Sequence, residues 1–300
     1  MNKHKWIKLG QIFHDGYCAN PTATHLNESV VRVYYSSRDI NNKSSIFAFD
    51  YDLDNLETLQ KKGELLYKYK TDSNFFSSGI TPGCIYNIKN KEYLAFMGWT
   101  NNQGSHWFGT IGRLEIDKNY TFVQNSEELL LGLNTVDSIS LSYPEIVSKE
   151  NKYYMLYGST VTWNHTNGEM IHTLNLAESN DGKFFEPKGK VLDYKTGYAQ
   201  AFSRPTIYID NNQTYHMWYS YRGSAKDFYK IGYAKSNGDF FNWENHYNKN
   251  QIKSSKNKWE SKMVEYPNVI EHNSKLFMFY NGNDYGKTGL GLAYIDKKDL

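Results

Sequence analysis

Short apolar runs alternate with polar turns along the whole chain, and the same paired pattern returns five times. The passages NPTATHLNESVVRVYYSSRD, TPGCIYNIKNKEYLAFMGWT, YPEIVSKENKYYMLYGST, RPTIYIDNNQTYHMWYSYR and YPNVIEHNSKLFMFYNGN each hold an apolar run, a polar turn and a second run rich in aromatics. The runs are short, rich in β-branched and aromatic residues, and lack a 3.6-residue period, so they predict strands rather than helices. The turns between them, among them Asn27-Glu28, Lys89-Asn90, Asn211-Asn212 and Asn273-Ser274, carry hairpin chemistry, which predicts two antiparallel strands per passage.

The repeat has a fixed length. Pro21, Pro82, Pro144, Pro205 and Pro267 are 61, 62, 61 and 62 residues apart, and only Pro187 of the six prolines falls outside the register. A third run follows in each unit, as SIFAFDYD, TIGRLEID, LNLAESNDG, KIGYAKSNG and LGLAYIDK, with room in most units for a short fourth strand. A two-sheet sandwich explains alternating strands but not a constant period. Five four-stranded sheets in a ring explain both, with each proline at the start of an inner strand, where a missing ladder donor is tolerated. The expected fold is an all-β, five-bladed β-propeller occupying residues 1–300 as one domain.

Composition narrows this further. With 26 Tyr, 16 Phe and 7 Trp among 300 residues, the chain can bury a large core, which excludes disorder. A net charge of +2 gives no field of the kind a nucleic-acid or membrane-surface binder carries. The opening MNKHKWIKLGQIF lacks the apolar stretch of a signal peptide, and no run is long enough to span a membrane, so a cytoplasmic protein is expected. Cys18 and Cys84 have no disulfide or metal spacing, and the histidines form no HxH or HExxH pattern, so neither a metal nor another cofactor is expected.

The Pro-led units, with endings such as IGYAKSNGDFFNW, resemble the five-bladed propeller glycosidases that include arabinanases, β-xylosidases, invertases, levansucrases and mannoside phosphorylases. The stretches SRPTIYIDNNQTYHMWYSYRG and KMVEYPNVIEHNSKLFMFYNGNDYGKTGLGLA resemble intracellular bacterial propellers known only as glycosidase-like, found with surface-polysaccharide genes. The resemblance implies an axial site that acts on sugars. It also exposes departures: Asn20 stands where the arabinanase and xylosidase group has its general base, Gly83 replaces the pKa-modulating Asp, and Ser142 replaces the general acid.

In a ring of blades, residues flanking the five prolines face one another: Asn20, Thr81, Tyr143 with Glu145, Arg204, and Glu265 with Tyr266. Glu265, in EYP, has the spacing relatives use for their acid, and desolvation among aromatics would keep it protonated. The alternative is a buried acid paired with Arg204. Glu145 and Asp15 are the candidates for a second carboxylate, against ordinary structural roles.

Lysine is the default cation here, so Arg38 and Arg222, each 17 residues after its proline, and Arg204 suggest forks for carboxylate or phosphate. The alternative is structural pairing with residues such as Asp39 or Asp227. Trp99, Trp163 and Tyr285 offer flat faces to a pyranose, and Asn281 and Asn283 offer polar groups to its hydroxyls, although Asn-Gly is also turn chemistry. Three functions remain open: a glycoside hydrolase-type enzyme for an acidic or phosphorylated sugar; an intracellular transferase, phosphorylase or sugar-modifying enzyme acting on a nucleotide-sugar or sugar phosphate in surface-glycan synthesis; and a non-catalytic propeller that binds a glycan or protein.

Overall fold

A computed structural model describes residues 5–101, 106–247 and 251–300. Nearly all regular structure is β. Strand β1 (Ile7–Phe13) stands alone at the start and pairs with the last strand. Unit one is β2 (Ala19–His25), β3 (Val30–Arg38) and β4 (Ser44–Asp52), with β5 (Glu57–Thr58) and β6 (Glu64–Tyr67) both paired to β4. Unit two is β7 (Gly79–Ile88), β8 (Lys91–Thr100), β9 (Phe108–Ile116) and β10 (Glu128–Leu131). Unit three is β11 (Leu141–Lys149), β12 (Lys152–Thr162), β13 (Ile171–Ser179) and β14 (Glu186–Lys190). Unit four is β15 (Ala201–Ile209), β16 (Thr214–Arg222), β17 (Lys230–Asn237) and β18 (Glu244–Asn245). Unit five is β19 (Glu265–His272), β20 (Lys275–Asn281) and β21 (Leu290–Asp296), completed by β1.

Within each unit the strands are antiparallel neighbours, as the hairpin turns predicted. The sheets are not five separate sheets, however. Single parallel bridges, Ser44 with Gly79 and His172 with Ala201, join units one and two into a nine-stranded sheet and units three and four into an eight-stranded one. Among the described residues no sheet is closed into a barrel.

The first strands of the units contact one another in order, β2 with β7, β7 with β11, β11 with β15, β15 with β19, and β19 with β2. Between these strands no ladder forms, so their edge amides and carbonyls need other partners. Side chains just after each proline supply them. Thr22 Oγ1 donates to the Gly83 carbonyl at 2.9 Å, the Ile146 amide donates to Cys84 Sγ at 3.0 Å, and the Ile207 amide donates to Glu145 Oε1 at 3.0 Å. The Val269 amide donates to Thr206 Oγ1 at 3.2 Å, and the Ala23 amide donates to Asn268 Oδ1 at 2.9 Å. The five bonds link units one to two, two to three, three to four, four to five and five to one. In unit two the residue after the proline is Gly83, where any Cβ would lie 2.7 Å from Pro144 and from the Ala95 carbonyl, so the acceptor moves one place to Cys84.

Apolar clusters fill the spaces between units, for example Val31, Tyr35 and Phe49 of unit one against Phe277, Phe279 and Leu292 of unit five. Trp218 is fully buried between Trp6, Tyr233 and Ile231 and serves packing. Two arginines are structural pairs: Arg32 with Asp50 at 2.8 Å and Arg113 with Glu128 at 2.5 Å.

Asn268→Ala removes the acceptor between units five and one and strands the half-buried Ala23 amide. It should lower the unfolding free energy in urea by about 1–3 kcal/mol, while Asn212→Ser, in an exposed turn, should change it by no more than about 0.5 kcal/mol. Equal effects at the two positions would deny the inter-unit bonds a special role.

Candidate functional site

Each unit's first strand is irregular at its proline. The pairing register shifts between Ala19 and Thr22, Pro82 and Cys84, Ser142 and Glu145, Ser203 and Thr206, and Glu265 and Asn268. In four of these bulges the residue before the proline takes a left-handed backbone, with φ of 55° at Asn20, 34° at Tyr143, 51° at Arg204 and 55° at Tyr266. Such conformations cost on the order of 1–3 kcal/mol each for a residue with a side chain. A bulge re-aims that side chain, and the following proline has no amide to lose from the ladder.

The re-aimed side chains Asn20, Tyr143 and Tyr266, with Thr81, line a hollow of about 150 Å³ that also takes in Tyr17, Arg38 and Trp99. A second hollow of about 450 Å³ shares Tyr17, Arg38, Trp107, Tyr143 and Tyr266 with it and extends to Trp163, Glu169, His172, Arg222 and Tyr285. The two are halves of one depression with aromatic walls. Trp163 stacks on His106 at 4.7 Å and meets Trp107 edge-on at 4.9 Å. Trp99 is fixed by its indole donating to Ser44 Oγ at 2.8 Å.

Of the three carboxylates expected to do chemistry, none lines the hollows. Glu265 is fully buried beneath them, and its electrostatic neighbours include the pocket residues Tyr17, Tyr143 and Tyr266. Asn281 Nδ2 donates to its Oε1 at 3.4 Å, and Oε2 has no hydrogen-bond partner among the described residues. Burial raises its carboxyl well above the usual range, with Arg222, Asn281 and Arg38 acting in the opposite sense. Its charged neighbours are therefore Arg222 and Arg38, not Arg204.

Glu145 belongs to the inter-unit circuit and is held by Ile207 and Thr206. Burial pushes its carboxyl up to about 7 against the opposing effect of Arg204. Arg204, also fully buried, donates through Nη2 to the Pro21 carbonyl at 2.7 Å and to Thr22 Oγ1 at 2.8 Å. It ties unit four to unit one instead of facing the hollow. Asp15 lies apart, accepting the Gly63 amide at 3.0 Å.

The polar candidates divide in the same way. Asn281 Oδ1 accepts the Asn20 amide at 3.1 Å, so it sets the position of Asn20 from below. Asn283 is a loop tie that accepts the Lys262 and Met263 amides and donates to the Lys258 carbonyl. Tyr285 lines the larger hollow with a left-handed backbone at φ 57°, its hydroxyl accepting from Arg222 Nη1 at 3.0 Å. Arg222 pairs with Glu169, at 2.8 Å from Nε to Oε2 and 3.1 Å from Nη2 to Oε1, and not with Asp227. Arg38 donates to Asn42 Oδ1 at 2.8 Å and lies 4.9 Å above the Tyr17 ring, while Asp39 folds back on its own turn.

Sequence reasoning missed Tyr17, Trp107, Glu169 and Tyr229, none of which adjoins a repeat proline. His172 lines the larger hollow, with Nε2 2.7 Å from Ser142 Oγ and Nδ1 2.8 Å from Thr160 Oγ1. Desolvation lowers its pKa to about 3, so the imidazole is neutral at physiological pH and presents Ser142 to the hollow. Among the described residues no group of three or more His, Cys, Asp or Glu is placed to hold a metal, and no helix is long and apolar enough to cross a membrane.

No family model matches the chain. Two relatives from Mycobacterium tuberculosis, the uncharacterised proteins MT1551 and Rv1502, are each 30% identical over 301 residues, covering 97% of this chain and 99% of theirs. A solved structure described as a glycoside hydrolase superposes with a TM-score of 0.76 at 14% identity, covering 97% of this chain and 92% of that one. A structure from work on mannoside phosphorylases and β-1,2-mannan-directed hydrolases of the GH130 family gives 0.68 at 12% identity, with 95% and 86% covered. Sucrose-6-phosphate hydrolase from Lactobacillus gasseri gives 0.68 at 14% identity, with 98% of this chain and 60% of that one covered. At these identities the likeness establishes a fold shared with propeller-type glycosidases.

Between pH 4.5 and about 7 the folded protein keeps a proton on Glu145 that the unfolded chain has released. Stability from this group is therefore full below pH 4.5, falls as pH rises through that window and levels off above it, by on the order of 3 kcal/mol. His172 has the opposite sign, losing stability as pH falls from 6.5 towards 3. Comparing wild type with Glu145→Gln by urea denaturation at pH 5 and pH 8 isolates the first effect: the variant should gain relative to wild type at the higher pH. A constant difference would show that Glu145 is ionised throughout.

Proposed function

The chain belongs to the family of the Mycobacterium tuberculosis proteins MT1551 and Rv1502, and from that premise we propose that it is a carbohydrate-active enzyme of glycoside hydrolase type. In this reading the five units are the blades of one five-bladed propeller, and an acidic or phosphorylated sugar binds in the hollow at its axis. The continuous inter-unit hydrogen-bond circuit and the completion of unit five by β1 support the first part.

The observation that carries the second part is one aromatic-lined hollow lined by both Arg38 and Arg222, with Glu265 buried behind it and within electrostatic reach of both arginines. A sugar has apolar faces that suit Trp163 and Trp107 and hydroxyls that suit Asn20 and Ser142. Glu265 is the acid of this scheme. A carboxyl kept protonated by burial can give its proton to a departing sugar oxygen, as a general acid must. That the Lactobacillus gasseri relative in fold is named a sucrose-6-phosphate hydrolase agrees with a phosphorylated sugar.

One observation favours transfer or phosphorolysis over hydrolysis. The only carboxylate that lines the hollow among the described residues is Glu169, and it is locked to Arg222. A hydrolase needs a base for water. Phosphate already carries its charge and needs none, and a mannoside phosphorylase family shares the fold.

Purified wild type and Glu265→Gln should be screened by mass spectrometry against sugar phosphates, nucleotide-sugars and aryl glycosides, with and without phosphate. Turnover that falls at least about a hundredfold in the variant, within the range that general acids supply, supports the assignment. Phosphate-dependent products select phosphorolysis. Ligand binding by both proteins without turnover by either would make the protein a binding module.

A further inference from the structure

Arg38 and Arg222 end equivalent strands, the second of units one and four, and both reach the same depression. Their donors are in different states. Arg222 donates through Nη2 to Glu169 and through Nη1 to Tyr285, and its Nε lies 2.8 Å from Glu169 Oε2 in the same ion pair, so its charge is neutralised. Among the described residues Arg38 makes one hydrogen bond, through Nη1 to Asn42, and no carboxylate forms an ion pair with it. Asp39, the nearest acid in sequence, is held by the Asn41 and Lys43 amides and by the Tyr69 hydroxyl.

Arg38 is also held in place without being neutralised. Its guanidinium lies 4.9 Å from the Tyr17 ring centre and 5.9 Å from that of Trp99, which fixes the plane of the fork. Among the described residues the Nε and Nη2 edge has no hydrogen-bond partner, and two parallel N–H groups on that edge match two oxygens of one anionic group. Asn20 and Thr81 line the same small hollow and can complete the shell.

We propose that the depression is divided into two subsites: Arg38, seated on Tyr17 and Trp99, takes the two-oxygen anionic group of the ligand, and the Arg222–Glu169–Tyr285 cluster forms a charge-neutral wall for the polyol ring. The anion is a phosphate monoester or a carboxylate. The assignment of Arg38 stands on its own, while what bears the anion rests on the carbohydrate reading above.

Titration calorimetry of wild type, Arg38→Gln and Arg38→Lys with inorganic phosphate, glucose 6-phosphate, glucuronate and glucose tests this. Arg38 is exposed, so the variants should fold, and near-ultraviolet circular dichroism checks that they do. The expected result is phosphate binding by wild type that weakens roughly tenfold or more in Arg38→Gln and less in Arg38→Lys, with glucose binding the same in all three. Preference for glucose 6-phosphate or for glucuronate identifies the anion.

Binding of neither phosphate, glucose 6-phosphate nor glucuronate by wild type, or anion binding that is equal in Arg38→Gln, would overturn the Arg38 assignment. Arg38-dependent phosphate binding with no gain from either sugar would keep that assignment and instead overturn the carbohydrate reading.

Discussion

The structure depends on satisfying the backbone at the inner edges of its five units without joining them into one sheet. Five side chains just past the repeat prolines do this, and each links its unit to the next. Because the link is a side chain, its chemistry can vary from unit to unit: hydroxyl, thiol, carboxylate or amide. That freedom explains why the residues after the prolines look unrelated in the sequence while performing one task.

The same edges create the site. A bulge at the proline turns the preceding residue into a left-handed backbone and re-aims its side chain, which gives Asn20, Tyr143 and Tyr266 to the hollow. Strain of this kind persists only where surrounding structure over-determines it, and the inter-unit bonds lie within a few residues on either side. Beneath the hollow, Arg204, Glu145 and Glu265 are fully or almost fully buried. Desolvation outweighs attraction at both carboxyls, which shifts each towards its protonated form.

Charge at the rim is set by neighbours, not by position in the repeat. Arg38 and Arg222 occupy equivalent places, yet Glu169 from the adjoining unit neutralises only Arg222. A repeat thus supplies the same residue twice, and one loop residue decides which copy is left with free donors.

The sequence by itself determined the all-β class, the five Pro-led units and their hairpins, because periodic spacing and alternation are local properties of a chain. It also named Glu265, Asn20, Tyr143, Arg38 and Trp163 as site candidates, since all lie at repeat prolines or at the ends of runs. Only the tertiary structure decided that Glu145 and Arg204 hold units together, that Asp15 and Asn283 tie loops, and that Asn281 works beneath the hollow. Tyr17, Trp107, Glu169 and Tyr229 came to light only there. Their loops carry no repeat signal, and a side chain's partners across units depend on distances that no spacing along one chain encodes.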